Sequence, residues 1–282
     1  MPTGVLVGVD LGGTRIRVVG SDDSGTWSRR LDARAPALAD LPRFLRRLWR
    51  QWGLSPRHVA ALVVAAKGVW TAAERRREAR RLRGLAQHAR VISDVEAAFL
   101  GALADRPGVL ILAGTGSIVL GRNRRGRWAR AGGLGPLLGD EGSAFWIGRW
   151  WLRGTMRDEE GLRKIARAPD AVTRIAALAP LVLRRAARGD RASRSVRAAR
   201  ALVTGAQNIL AARACAVAQD LRLPPPVAVS WAGSLMENRT FRAGVLRSLR
   251  RQGLRVRAVA PAEPAVKAAH AMAKRLAHRT RS

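Results

Sequence analysis

The chain has 282 residues, 48% of them hydrophobic, which is enough for two lobes of ordinary domain size. Its one cysteine, Cys215, excludes an internal disulfide, a multi-cysteine zinc site and a cluster held by several thiolates of one chain, and charge is expected to interrupt every apolar run before the roughly 18 residues of a membrane span. A formal net charge of +32 admits a polyanion partner such as nucleic acid. However, all but four of the 52 cations are arginine, dispersed along the whole chain, and that pattern reads as solvated surface. No basic start followed by an apolar stretch stands at the amino terminus, so a cytoplasmic location is expected.

In chain order, Val5 to Val9 predicts a short buried strand, Gly12 and Gly13 a tight turn, and Ile16 to Val19 the returning strand. Leu41 to Trp52 predicts an Arg-rich helix, Val59 to Ala65 a strand, Ala72 to Leu82 a second helix, and Ala89 to Ile92 another strand. The basic run from Glu74 to Arg83 reads as an exposed helix with Glu74 and Glu78 in reach of arginines. Val109 to Ala113, the turn Gly114 to Ser117 and the run Ile118 to Gly121 then echo the opening hairpin, which suggests two related lobes. Ser143 to Leu221 reads as helical, with breaks at Ala168-Pro169-Asp170 and near Gly189-Asp190, until Pro224-Pro225-Pro226 stops it. Val227 to Trp231 and Val256 to Val259 predict strands and Ala265 to Leu276 a closing helix, so the fold class is α/β.

Five segments carry chemistry. Val7-Gly8-Val9-Asp10-Leu11-Gly12-Gly13-Thr14-Arg15 puts a carboxylate and a glycine pair where a buried strand turns, a phosphate cradle built on a hairpin rather than on the strand-to-helix junction of a Walker loop. In Val91-Ile92-Ser93-Asp94-Val95-Glu96, Asp94 stands at the carboxyl end of a strand just before a helix, where α/β sheets keep reactive groups. Gly114-Thr115-Gly116-Ser117 offers backbone N–H groups and hydroxyls to phosphate oxygens. Gly132-Gly133-Leu134-Gly135 through Gly139-Asp140-Glu141-Gly142-Ser143 is an acidic, flexible-looking loop, and Gly233-Ser234 a third strand-to-glycine turn. Asp94 also suits a plain helix N-cap, and Asp140 and Glu141 a solvated loop. Trp146, Trp150 and Trp151 have the near-helical spacing of core residues, and the four histidines show no metal-binding spacing.

The order of these segments resembles the BadF/BadG/BcrA/BcrD ATPase family, and within it the N-acetylglucosamine kinases of the actin, hexokinase and heat-shock-chaperone superfamily. Asp-Leu-Gly-Gly-Thr-Arg is similar to the family's first phosphate motif, Ser-Asp-Val-Glu-Ala-Ala to its connecting segment, Ala-Gly-Thr-Gly-Ser to its second phosphate motif, and Trp-Ala-Gly-Ser to its adenosine motif. The resemblance implies two ribonuclease-H-like lobes with an interlobe ATP/substrate cleft. Residues 1–107, joined by a terminal helix at about 262–278, form one lobe; residues 108–261, with a helical insertion, form the other.

It further implies ATP and Mg²⁺ as cofactors, a small sugar as acceptor, and a homodimer. Asp10 takes the metal; Gly12, Gly13, Thr14 and Arg15 approach the β- and γ-phosphates; Gly114, Thr115, Gly116 and Ser117 grip from the second lobe; Gly233 and Ser234 flank the adenosine. Asp94 is the general base, and Gly135 and Asp140 lie near the sugar. Departures fall on the acceptor side: the segment Asp32-Ala33-Arg34-Ala35-Pro36-Ala37 lacks the family's asparagine, Ile118 and Leu134 replace an asparagine and a tryptophan, and Lys67 stands in a turn where small residues are usual. The acceptor is therefore open among N-acetylglucosamine, glucosamine, a muramic-type sugar and glucose. Two rivals are a reductive activator of acyl-CoA dehydratases, against which the single cysteine argues, and a nucleotide-binding regulatory or nucleic-acid-associated protein without turnover.

Overall fold

The computed structural model describes residues 4–13, 15–22, 24, 25, 27–188 and 193–279. The chain divides into two compact units, Met1–Ala104 with Ala262–Ser282, and Asp105–Pro261.

Unit 1 begins with β1 (Val5–Leu11), β2 (Arg15–Ser21) and β3 (Ser28–Arg34), followed by α1 (Leu41–Trp52), β4 (Val59–Ala66), α2 (Ala72–Arg81), β5 (His88–Ser93) and α3 (Asp94–Leu103). Unit 2 holds β6 (Gly108–Ala113), β7 (Ser117–Arg122), β8 (Trp128–Gly132), α4 (Gly135–Leu138), α5 (Ala144–Thr155), α6 (Glu159–Arg167), α7 (Ala171–Ala176), α8 (Ala179–Ala186), α9 (Arg194–Asp220), β9 (Val227–Ala232), α10 (Ser234–Glu237), α11 (Arg239–Arg251) and β10 (Val256–Ala258). The closing helix α12 (Ala265–Arg279) returns to unit 1.

The sheets run β3-β2-β1-β4-β5 and β8-β7-β6-β9-β10, the same order when strands are counted within each unit. In both, the first three strands are antiparallel and the last two add in parallel. The echo between the two glycine-bent hairpins is thus an echo of the whole sheet.

The central strands β1 and β4 are buried along nearly their full length, which explains their continuous apolar reading. One face of unit 1 packs Leu41, Leu45, Leu48 and Trp49, spaced as one stripe of α1, with Trp49 Nε1 donating to Leu85 O at 2.9 Å. The other face packs Leu6, Val63 and Ile92 under Ala269 and Ala273 of α12. That helix lies so close to β1 that a Cβ on Gly8 would collide with the backbone of His270. His270 Nε2 and Ser21 Oγ, 3.0 Å apart, close a hydrogen bond on the same face.

Several elements depart from the sequence reading. The edge strands β3 and β8 go unpredicted because their sequences carry no buried apolar alternation. The helix α11 also escapes notice, although Phe241, Val245 and Leu249 form its buried stripe. The long helical stretch breaks at Pro169 as expected and additionally between α5 and α6 and between α7 and α8; the break expected near Gly189-Asp190 lies outside the described residues. Helix α2 is not wholly exposed: Thr71 and Glu74 form a reciprocal capping box, and Glu78 is buried between Arg77 and Arg81. Of the three tryptophans expected in the core, Trp151 is buried and Trp150 is 40% exposed. Contrary to the expectation that charge breaks every long apolar run, α9 is long and apolar enough to cross a membrane by length and composition. Its Leu210, Ala211, Ala214 and Cys215 instead pack in the core of unit 2.

Gly8→Ala should lower unfolding stability by about 1–3 kcal/mol, read by chemical denaturation, because α12 must move off β1 to admit a methyl group; an unchanged midpoint would contradict this packing.

Candidate active site

In unit 1 the parallel register Leu11↔Ala66 and Ala66↔Ser93 brings the carboxyl ends of β1, β4 and β5 into line. Asp10 stands at the end of β1, followed by the turn at Gly12 and Gly13, where Gly12 N–H donates to Arg15 O at 3.0 Å. Burial raises the Asp10 pKa above its ordinary value; Arg17 opposes this, and the nearby charge of Asp94 adds to it. The Arg17 contact is slack, with Nη1 3.5 Å from Asp10 Oδ2, so the carboxylate is desolvated without a close cation of its own.

Asp94 is the first residue of α3, and the N-cap is Ser93, whose Oγ accepts from Val95 N–H at 3.2 Å. Asp94 Oδ1 accepts from the same amide at 2.9 Å, and Ser93 Oγ donates to it at 3.4 Å. The capping duty thus falls on serine, and Asp94 is held in place by its neighbours. Burial pushes its pKa up, against the Val95 amide, the field of Lys67 and the Ser93 hydroxyl.

Arg15 turns away from the glycines to Asp32, with Nε 2.7 Å from Oδ1, and Arg17 Nε stands 3.6 Å from the other oxygen of the same carboxylate. The Arg15 hydrogen bond holds the Asp32 pKa down. Both side chains are about half exposed, so the pair adds little stability. Thr14 lies outside the described residues.

In unit 2 the turn Gly114–Gly116 is pinned by the start of α5, where Ala144 N–H donates to Gly114 O at 2.9 Å and Phe145 N–H to Thr115 O at 3.2 Å. Asp140 is buried, has φ of 61°, and its Oδ1 accepts from Ser117 N–H at 3.1 Å. A Cβ on Gly116 would meet that carboxylate at 2.8 Å, so glycine is required there by close approach. The loop that looked flexible and solvated is therefore a brace for the glycine turn. Glu141 extends it: Ser117 Oγ donates to Glu141 O at 2.8 Å, and Arg213 on α9 pairs with the Glu141 carboxylate and donates to its carbonyl at 3.2 Å. Burial alone would raise the Glu141 pKa, but its own backbone amide and Arg213 outweigh that and hold it low.

Gly233, with φ of 90°, would drive a Cβ to 2.5 Å from Ala113 O, and a Cβ on Gly114 would lie 3.5 Å from Ser234 Oγ. The second and third glycine turns are thus in contact. Beyond α10 a cavity of about 430 Å³ is lined by Arg200, Val203, Asn238, Thr240 and Phe241. A larger cavity of about 680 Å³, rich in arginine, lies at the far end of β7 beside Arg124 and Arg222. Gly135 opens α4, whose Leu137 and Leu138 are exposed. In sum, unit 1 gathers Asp10, Gly12, Gly13 and Asp94, while unit 2 gathers Gly114, Thr115, Gly116, Ser117, Asp140, Gly233 and Ser234. Sequence reading missed Arg17, one residue across the hairpin from Asp10, and Arg213, whose signal is a lone charge in the apolar stretch of α9.

A family model, the BadF/BadG/BcrA/BcrD ATPase family, matches residues 7–270. The chain belongs to this family. The N-acetylmuramic acid/N-acetylglucosamine kinase of Clostridium acetobutylicum is 42% identical over 77 residues, 27% of this chain and 25% of that protein. The N-acetyl-D-glucosamine kinase of Dictyostelium discoideum is 51% identical over 53 residues, 19% of this chain and 17% of that protein. The chain thus aligns with a quarter or less of these curated relatives' lengths. Among solved structures, a Chromobacterium violaceum protein carrying the provisional name N-acetylglucosamine kinase is 25% identical with a TM-score of 0.71, covering 96% of this chain and 99% of its own. A Streptomyces griseus glucokinase of the ROK family, solved with glucose and AMPPNP, is 18% identical with a TM-score of 0.63, covering 96% and 100%, and shares the fold.

Two outcomes follow. A raised carboxylate pKa means that the folded state pays for ionising Asp94, so Asp94→Asn should raise the melting temperature at pH 7; the gain should vanish below about pH 4, where folded and unfolded chains are both protonated. A loss of stability at pH 7 would contradict the burial. Gly116→Ala should cost about 1–3 kcal/mol by crowding Asp140, read by denaturant midpoint, and Asp140→Ala introduced with it should recover part of that loss.

Proposed function

We propose that this protein is an ATP-dependent sugar kinase that phosphorylates a hydroxyl of an amino sugar or hexose, with Asp94 as general base. The observation that carries the reading is Asp94 itself: a desolvated carboxylate at a strand end, held by Ser93 and Val95, sharing its sheet end with Asp10 and the Gly12–Gly13 turn. Phosphoryl transfer asks a protein chiefly for positioning and for charge neutralisation. The named relatives, kinases of N-acetylglucosamine and N-acetylmuramic acid, support the acceptor class.

Mg²⁺ fits Asp10. Such an ion is held by one or two carboxylates, with water and phosphate oxygens completing its shell, and Asp10, its side chain 13% exposed, has only a slack arginine contact to balance it. When bound, the ion supplies charge neutralisation of the triphosphate.

The chain's own residues do the rest. In unit 1 the turn at Gly12 and Gly13 presents backbone to phosphate; in unit 2 the turn Gly114 to Ser117, stiffened by Asp140, Glu141 and Arg213, has the same character. Gly233 and Ser234 flank the adenosine, and the cavity lined by Arg200, Asn238 and Phe241 takes the base. Asp94 accepts the acceptor hydroxyl's proton as its oxygen attacks the terminal phosphorus; the bond from that phosphorus to the bridging oxygen breaks, leaving ADP. The protein works as a cytoplasmic homodimer on diffusible small molecules.

Incubation with ATP, Mg²⁺ and N-acetylglucosamine, glucosamine, N-acetylmuramic acid or glucose should release ADP with at least one of them. Asp94→Asn should lower kcat by about 10²- to 10⁴-fold while ATP binding persists. Because burial raises the base's pKa, the acidic limb of kcat/KM should lie above the ordinary carboxylate range. ADP release that no sugar stimulates, or full turnover by Asp94→Asn, would overturn the reading.

A further inference from the structure

Resting on the reading of unit 1 as a phosphate-binding half-site, we infer that Lys67 is a phosphate-contacting residue whose ammonium reaches the Gly12–Gly13 turn and holds the terminal phosphoryl group of the nucleotide beside Asp94.

Three observations carry this. Lys67 is the first residue past β4, and its backbone N–H donates to Leu11 O at 3.3 Å, which extends the β1–β4 ladder to the edge of the glycine turn. Gly68, with φ of 77°, then turns the chain away, so Lys67 is the last side chain that β4 presents at this sheet end. Its ammonium is at the turn: a Cβ on Gly13 would lie 3.9 Å from Lys67 Nζ. The charge of the same ammonium acts on the Asp94 carboxylate, opposing the effect of burial.

Composition sharpens the point. Only four of the 52 cations are lysine, so the chain supplies positive charge as arginine almost everywhere else. An ammonium is a compact point charge with three donors on a flexible stem, suited to one phosphoryl group, where a guanidinium demands a planar partner. Gly12 and Gly13 have no side chains to offer a phosphate, and the turn lacks the lysine that a Walker loop carries within its own sequence. Lys67 supplies that charge from the neighbouring strand. Among the described residues it closes no ion pair, so the ammonium is not committed to a carboxylate.

The decisive experiment compares AMP-PNP with ADP, each with Mg²⁺ and without sugar, by calorimetry on the wild-type protein, Lys67→Met and Lys67→Arg. A contact to the terminal phosphoryl group predicts that Lys67→Met loses about 10- to 100-fold in AMP-PNP affinity with ADP affinity unchanged, and that Lys67→Arg recovers part of the loss. Equal weakening for both nucleotides, or no weakening for either, overturns the assignment. Because no sugar is present, a protein that phosphorylates none of the four sugars would sink the kinase reading and leave this affinity ratio to decide Lys67 alone.

Discussion

Two carboxylates, Asp10 and Asp94, end buried parallel strands of unit 1, and the protein only partly neutralises them. Burial raises both, the charge of Asp94 raises Asp10 further, and the cations at hand are Arg17 at slack distance and Lys67 across the glycine turn. Such an arrangement is costly to the fold, and proteins keep it where an incoming group repays the cost. A magnesium-bound triphosphate is such a group. The pairing β1–β4–β5 holds the two carboxylates at one sheet end, and α12 packed on Gly8 keeps the central strand in place.

Unit 2 repeats the sheet order but puts it to different use. Its glycine turn carries no strand-end carboxylate of its own; instead the buried Asp140 reaches back to Ser117 N–H, and Arg213 ties Glu141 to the same strand. Unit 1 thus leaves two carboxylates only partly neutralised, whereas unit 2 commits its charge to fixing backbone donors.

Much of this was legible in sequence because strand, glycine turn and strand leave a local signature. Both hairpins, α1 and the closing helix all follow from apolar runs bounded by glycine or proline. The edge strands β3 and β8 were not legible, since each offers the core only a short, half-buried pair, Leu31 with Ala33 and Ala129 with Ala131, among charged neighbours. Nor was the brace of unit 2: Arg213 meets Glu141 across 72 positions, and Asp140, buried with φ of 61°, meets Ser117 N–H across 23. Arg15, placed by motif beside the phosphates, is drawn to Asp32 across the sheet. The charge of +32 finds a structural outlet in part, as with Arg242 stacked 4.5 Å over Trp231 and the arginines around buried Glu78.

The central claim is that Asp10 and Asp94 are desolvated carboxylates and that Asp10 feels the charge of Asp94, and it is tested most directly by titrating the Asp10 carboxyl carbon by NMR in selectively labelled protein without ligands. The account predicts a midpoint above the ordinary aspartate range that falls when Asp94 is replaced by asparagine. A midpoint at or below the ordinary value, unmoved by that replacement, would contradict it.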